Sequence, residues 1–372
     1  MISSHADIRN QICRDILPMA YQSESLLYAT MAFSALHRST LLNELPDQFV
    51  PEDLVSELIL ASMYCLRRDL ETPGHPTQPL LHTIRTLCHC EIYSGRANSS
   101  WRVHVKGAGA MFSAVASRRD LDHSEYSFWL WSRWFWSIQA LTAVTDVGTL
   151  SELSLEVPAM QENHEDYFFD TYTGYSSDLN IVLVQIGAMA QKKQSIIPAG
   201  VKPRRARRFI IWRRHASLRF PSHVVLDKNT VRQFEACNTA YQNAGLIHLY
   251  RRLRNMPTVS EEVQGCVRTI LDAVYAILPI TTLSPWILLT TPIYTAGCEA
   301  VGQDRDLVKD LLLGLYSTLR IRNILRAIEI LNHNWRVTDK FRNIQQRISG
   351  KDSRKRICDV TGTLDFLDFI PY

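Results

Sequence analysis

This chain of 372 residues is short of the signatures that mark an enzyme. It holds no H-E-x-x-H, no G-x-x-x-x-G-K-[ST] and no G-x-S-x-G, so the zinc-peptidase, P-loop and hydrolase chemistries served by those spacings are absent. No two aspartates are adjacent. The D-D-x-x-D cluster with which all-helical enzymes hold magnesium for diphosphate chemistry is therefore missing too. No apolar run reaches the roughly 18–20 residues that span a bilayer. Asp7, Arg9 and Asp15 interrupt the amino terminus, against a signal peptide. No charge sign dominates: 41 Lys and Arg stand against 37 Asp and Glu, a net charge of +4, and a general nucleic-acid-binding surface would need a concentrated positive face. Almost no stretch alternates with period two, so few strands are expected.

What is present is apolar and helical in period. The hydrophobic share is 46%, with 14 Tyr, 13 Phe and 8 Trp, enough for a sizeable core. The spacing predicts an all-α fold, a large single array of packed antiparallel helices. Ser23–His37 is apolar nearly all round, as in a buried helix. A helix from near Pro51 carries Leu54, Leu58, Ala61 and Cys65. Pro79–Ser117 reads as a helical hairpin, with Leu80, Ile84, Leu87 and Cys88 on one arm, Trp101, His104, Ala108, Met111, Phe112 and Val115 on the other, and the polar turn Ser94–Ser100 between. The most aromatic helix follows, with Phe128, Trp131, Phe135, Ile138 and Thr142 on one face and Trp134 and Leu141 widening it, a core pattern. Leu150–Ser177 reads as a long irregular loop. Further helices carry Leu179, Val182, Ile186 and Met189; Phe234, Cys237, Tyr241, Ala244 and His248; and Val263, Val267, Ile270, Val274 and Ile277, the last behind a Thr258/Glu261 capping box. The final third is helical from Trp286 through Ala300, then with Val308, Leu311, Leu312 and Leu315 after a cap at Asp304, then with Ile324, Ile328, Leu331 and Trp335 after a cap at Asn323.

Four clusters are chemically suggestive. Gly107 and Gly109 are a fragment of a dinucleotide loop, but lie within a helical pattern and read as points of close helix approach. His82, Cys88, His89, Cys90 and His104 resemble a metal set in composition only: Cys88 and Cys90 diverge by about 160° around a helix, whereas zinc needs convergent ligands. The eight cysteines, Cys13, Cys65, Cys88, Cys90, Cys237, Cys266, Cys298 and Cys358, read as free thiols of a reducing, intracellular compartment. Lys202, Arg204, Arg205, Arg207, Arg208, Arg213, Arg214 and Arg219 form a basic patch without an acidic residue. It reads as a nuclear-import signal, a phosphate or acidic-surface contact, or a solvated loop.

Two separated motifs carry a family resemblance. Cys90-Glu91-Ile92-Tyr93 precedes a Ser/Gly/Asn turn and then Trp101-Arg102-Val103-His104-Val105-Lys106-Gly107-Ala108. Later, Trp286 is followed by Pro292-Ile293-Tyr294-Thr295-Ala296-Gly297-Cys298-Glu299-Ala300, then Arg305, Asn323, Ala327, Ile330-Leu331 and Trp335. In this order they resemble the fungal-specific regulatory domain found downstream of Zn₂Cys₆ DNA-binding clusters. Tyr28–Leu36 resembles its first helix, and Asn243–Leu253 its Leu-Tyr-Arg-Arg-like helix.

The resemblance implies an N-terminal segment at 1–22, a helical regulatory domain at 23–345 with a basic loop or insertion at 191–226, and a tail at 346–372. It also implies a nuclear transcription regulator, pathway- or gene-cluster-specific. The partners would be transcription machinery or other regulators, with a small-molecule effector among the family's options. Trp101, Arg102, His104, Gly107, Trp286, Gly297, Glu299 and Trp335 are the motif residues and read as structural, the tryptophans as anchors and Gly107 and Gly297 for close packing. The six-cysteine module is absent from this sequence, so no cofactor is expected here; zinc would belong to an upstream module. Direct DNA binding, catalysis and membrane insertion are not expected of this chain. A stand-alone interaction or metabolite-sensing protein is the alternative. A small-molecule-processing helical enzyme ranks behind it, and would draw on His82, Glu91 or His104.

Overall fold

The computed structural model of the chain describes residues 4–42, 52–71, 77–96, 100–116, 126–145, 169–195, 226–277, 279, 284–348 and 369–371. Structural counts and absences refer to these residues. The helices are α1 (Ala6–Gln11), α2 (Leu17–Gln22), α3 (Glu24–Leu42), α4 (Glu52–Glu71), α5 (Gln78–Ser94), α6 (Ser100–Ala116), α7 (Tyr126–Thr145), α8 (Asp178–Ser195), α9 (Lys228–His248), α10 (Glu261–Tyr275), α11 (Thr290–Glu299), α12 (Asp304–Leu319) and α13 (Arg322–Ile348). Single π turns at Ile12–Ile16 and Leu249–Leu253 and a 3₁₀ turn at Pro285–Leu288 join some of them. The only sheet is a two-residue antiparallel ladder, β1 (Phe169–Asp170) with β2 (Tyr175–Ser176). The fold is all-α, helix packed on helix.

Two large apolar clusters form the core. One gathers Leu80, Ile84 and Cys88 of α5, Trp101, Val105 and Ala108 of α6, and Trp131, Trp134, Phe135 and Ile138 of α7. The other runs through α8 to α13 and takes in Ala140 and Val144 of α7. The aromatic helix α7 thus faces both, and the sequence's core reading of it holds at Trp131, Trp134 and Phe135, all fully buried. Phe112 of α6 stacks on Trp131 and Phe135, with ring centroids 5.7 and 5.2 Å away. The side chains of Val115 and Phe128 fall outside the described residues.

The α5–α6 hairpin ends where expected. Gly95 takes the left-handed C-cap position (φ +66°) and its N–H donates to Ile92 O at 3.2 Å. A Cβ there would lie 2.9 Å from Arg322 O, so glycine also lets the turn touch the start of α13.

Several expectations shift. α3 is buried on one face rather than all round: Leu26, Ala29 and Ala32 are inside, while Met31 and Leu41 are about half exposed. The α4 stripe begins at Val55, not Leu54, and continues through Leu58, Ser62 and Cys65; Ser62 serves there because its Oγ donates to Ser25 O at 2.8 Å. The described end of the irregular stretch, 169–176, is a buried β-ladder rather than a loop. Its Asp170 pairs with Arg133 at 2.6 Å, and Ser176 N–H donates to Asn238 Oδ1 at 3.0 Å. No Thr258/Glu261 capping box forms: Ser260 is the N-cap of α10, and Thr258 Oγ1 donates to Glu299 Oε2 at 2.6 Å instead. Asp304 is the first helical residue behind Gln303. Asn323 lies inside α13, not at its cap, and its side chain reaches across the core.

Candidate functional site

A row of buried and partly buried polar side chains lies on one face of α5. His82, Arg85, His89 and Tyr93 recur at steps of three and four, which places them in a row along a helix. Phe33 of α3 covers the row, 6.0 Å from the His89 ring and 5.2 Å from Tyr93. Trp134 of α7 meets His89 edge-on at 5.9 Å. His82 is fully buried and Arg85 is 7% exposed.

Arg85 is the unusual member. Its Nε has no hydrogen-bond partner and is out of reach of solvent. Among the described residues no carboxylate pairs with it. Withdrawing part of a guanidinium from water with no carboxylate beside it among the described residues is costly. Burial, and then the neighbouring Arg85 charge, lower the His89 pKa to about 3, so His89 is neutral near pH 7 and does not cancel or compound that charge. Burial and the nearby Tyr172 raise the Tyr93 hydroxyl above its usual range, keeping it a neutral donor. The row offers one fixed positive charge, a phenol and aromatic walls.

The other candidate groups separate. Cys88 Sγ approaches Trp101 O at 3.8 Å and Cys90 Sγ approaches Ala29 O at 4.0 Å. Their thiols face different helices, as the spacing implied. No group of three or more metal-ligating side chains converges among the described residues. The seven described cysteines are free. Every residue of the basic patch, Lys202 to Arg219, lies outside the described residues.

The motif residues form two structural groups. Trp101 is 3% exposed within the α5–α7 cluster, with the Arg102 guanidinium 4.8 Å from its ring centroid, and burial lowers the His104 pKa. In the second group, Trp335 Nε1 donates to Gly297 O at 2.9 Å. A Cβ on Gly297 would meet Leu331 Cδ1 at 2.7 Å and Val308 Cγ1 at 2.8 Å. Glu299 pairs with Arg251 at 2.8 Å, both about nine-tenths buried, and Gln264 Nε2 ties Glu299 O to Thr258 O. Arg252 Nη1 donates to Ala143 O and Val144 O at the end of α7, where a cation suits the helix dipole. The Arg-Arg pair thus stitches the π turn after α9 to α11 and α7. Gly107 departs from expectation: a Cβ there would meet nothing within 4 Å, so close packing is not its reason.

With this architecture in place, comparison with known families is decisive. The profile described as "fungal specific transcription factor domain" matches residues 1–349. The chain belongs to that family. No curated protein and no solved structure matches it. Family membership makes the chain a transcription regulator, with the helical body as its transcription factor domain. No helix in the described part of this fungal-specific domain is long and apolar enough to cross a membrane.

Sequence reading passed over Arg85. The available signal was a lone cation between Ile84 and Cys88 on an otherwise apolar stripe. Such residues are seldom buried unless paired.

Proposed function

We propose that this fungal-specific domain is the helical regulatory part of a Zn₂Cys₆-class transcription regulator, acting in the nucleus on a particular pathway or gene cluster. Its work is protein-to-protein: it contacts transcription machinery or other regulators and leaves DNA contact to a module outside this chain. The observation that carries this reading is the family match across residues 1–349. Zinc would belong to the DNA-binding module, and no cofactor is proposed for the helical body. The motif residues Trp101, Arg102, His104, Gly107, Trp286, Gly297, Glu299 and Trp335 are proposed as structural, and the patch Lys202, Arg204, Arg205, Arg207, Arg208, Arg213 and Arg214 as the import signal.

The test joins the chain to a heterologous DNA-binding module and reads a reporter. A change in transcription in either direction is expected; a reporter indifferent to the fusion overturns the reading. The isolated chain should give no sequence-selective gel shift, and salt-sensitive shifts at nanomolar protein would contradict the division of labour.

Arg85 favours one further element of the alternative, metabolite sensing. The row His82, Arg85, His89 and Tyr93 is proposed as the seat of an anionic effector. Thermal-shift screening of monocarboxylates should raise the melting temperature for some ligands, and Arg85→Met should abolish that rise while leaving the ligand-free chain folded. A ligand shift that survives Arg85→Met removes this seat.

A further inference from the structure

The carboxyl-terminal residues are held in a built slot. Ile370 is 2% exposed and belongs to the α5–α7 cluster with Leu80, Ile84 and Phe135. Its neighbour Phe369 packs against the other cluster, with its ring 5.0 Å from Tyr294. The backbone is read as well as the side chains. Asn323 Nδ2 donates to Ile370 O at 3.0 Å, and Thr291 Oγ1 donates to Pro371 O. Asn323 is 3% exposed and Thr291 5%.

These are the ingredients of peptide recognition. Main-chain hydrogen bonds set the register, and apolar pockets on alternate sides select the side chains. The two donors come from α11 and α13, while the Ile370 side chain joins the apolar cluster of α5, α6 and α7. Asn323 has no partner in its own first turn and spends its amide on a carbonyl 47 positions away. Its place in α13 follows from this: removing the tripeptide would leave a buried amide without its acceptor.

We propose that the slot between α11, α13 and the α5–α7 cluster is a peptide-binding site for an extended aromatic–aliphatic–proline sequence, occupied in cis by Phe369-Ile370-Pro371 and open to exchange with the same sequence in trans. The contact is small, two apolar side chains and two hydrogen bonds, which is the scale of a reversible docking contact. Covalent attachment after α13 raises the effective concentration of the tripeptide and keeps the site filled. The docked residues bridge the two core clusters, so occupancy couples the amino-terminal and carboxyl-terminal halves. The preceding sequence, Leu364-Asp365-Phe366-Leu367-Asp368, intersperses acidic with apolar residues, a composition associated with partner-binding segments. While the slot is filled, Phe369 and Ile370 are withheld from other surfaces.

The test uses full-length chain and a fluorescein-labelled peptide of residues 363–372, read by fluorescence anisotropy. The Ile370→Asp chain, its own anchor removed, should bind the peptide at least ten-fold more tightly than the wild-type chain does. Adding Asn323→Leu should weaken that binding at least ten-fold, and a peptide carrying the Ile370→Asp change should not bind. Equal binding by wild-type and Ile370→Asp chains overturns the proposal, as does no binding by a folded Ile370→Asp chain. Ile370→Ala replaces Ile370→Asp if the latter does not fold. Failure of both to fold also overturns it, since an exchangeable ligand is not an obligate part of the core.

Discussion

A methyl group added at Gly297 would press on Leu331 and Val308 at under 3 Å, whereas one added at Gly107 would project into open space. The two motif glycines therefore predict opposite outcomes. Gly297→Ala should destabilise the domain by about 1–3 kcal/mol through overpacking. Gly107→Ala should stabilise it by up to about 1 kcal/mol, because alanine restricts the unfolded chain and suits a helix interior. Urea denaturation midpoints separate these cases, and shifts of the same sign would refute the packing assignment. Gly107 shows the limit of a motif: the residue is recognisable in the sequence, but its reason is not packing. Arg85 shows the converse. Its identity and its apolar neighbours are plain in the sequence, yet whether a carboxylate from another helix reaches it depends on which helices meet there.

The helices α5 and α9 each carry a largely buried histidine, His89 and His248. Burial, and then a neighbouring arginine (Arg85 for His89, Arg252 for His248), lower both pKa values to about 3. The folded values lie below the ordinary value of about 6.5, so the neutral form is favoured in the fold. Stability from these groups is full above pH 6.5 and is lost as pH falls toward 3. At pH 5 each should cost about 1–2 kcal/mol. Thermal melts at pH 7.5 and 5.0 should show the loss, and His89→Phe should reduce it; an unchanged pH slope would sink the assignment. The α11 hub carries a second prediction. Glu299→Ala removes the carboxylate that faces the buried Arg251 charge and should destabilise by about 3–5 kcal/mol, measurable by denaturant unfolding. Pairing the change with Arg251→Met should recover part of that loss.

Over the whole molecule, two clusters share α7 and are bridged by Phe369 and Ile370. Burying an isoleucine is worth about 1.5–3 kcal/mol and each hydrogen bond about 1 kcal/mol, so Ile370→Asp should lower the melting temperature by several degrees without changing helix content by circular dichroism. Wild-type melting would show that the docked tripeptide contributes nothing. Transport belongs to this scale as well. Replacing Arg204, Arg205, Arg207 and Arg208 with Ala should reduce nuclear accumulation of a tagged chain, and unchanged accumulation would remove the import role.

Helical periodicity was enough to read the all-α class, the α5–α6 hairpin, the burial of Trp131, Trp134 and Phe135, and the α10 stripe. Each rests on local geometry: a 3.6-residue period declares one face, and apolar side chains on that face must leave water. The family, too, was legible from two ordered motifs. Pairings between distant residues were not. Thr258 bonds to Glu299 rather than capping α10, Asn323 holds Ile370 O rather than capping α13, and residues 169–176 form a buried ladder. Thr258 and Asn323 each had a plausible local partner in the sequence and took a distant one in the fold, and the short ladder is tied down by the distant Arg133 and Asn238. Buried polar groups must be satisfied by whatever packing brings within about 3 Å, and that proximity is a property of the tertiary structure alone.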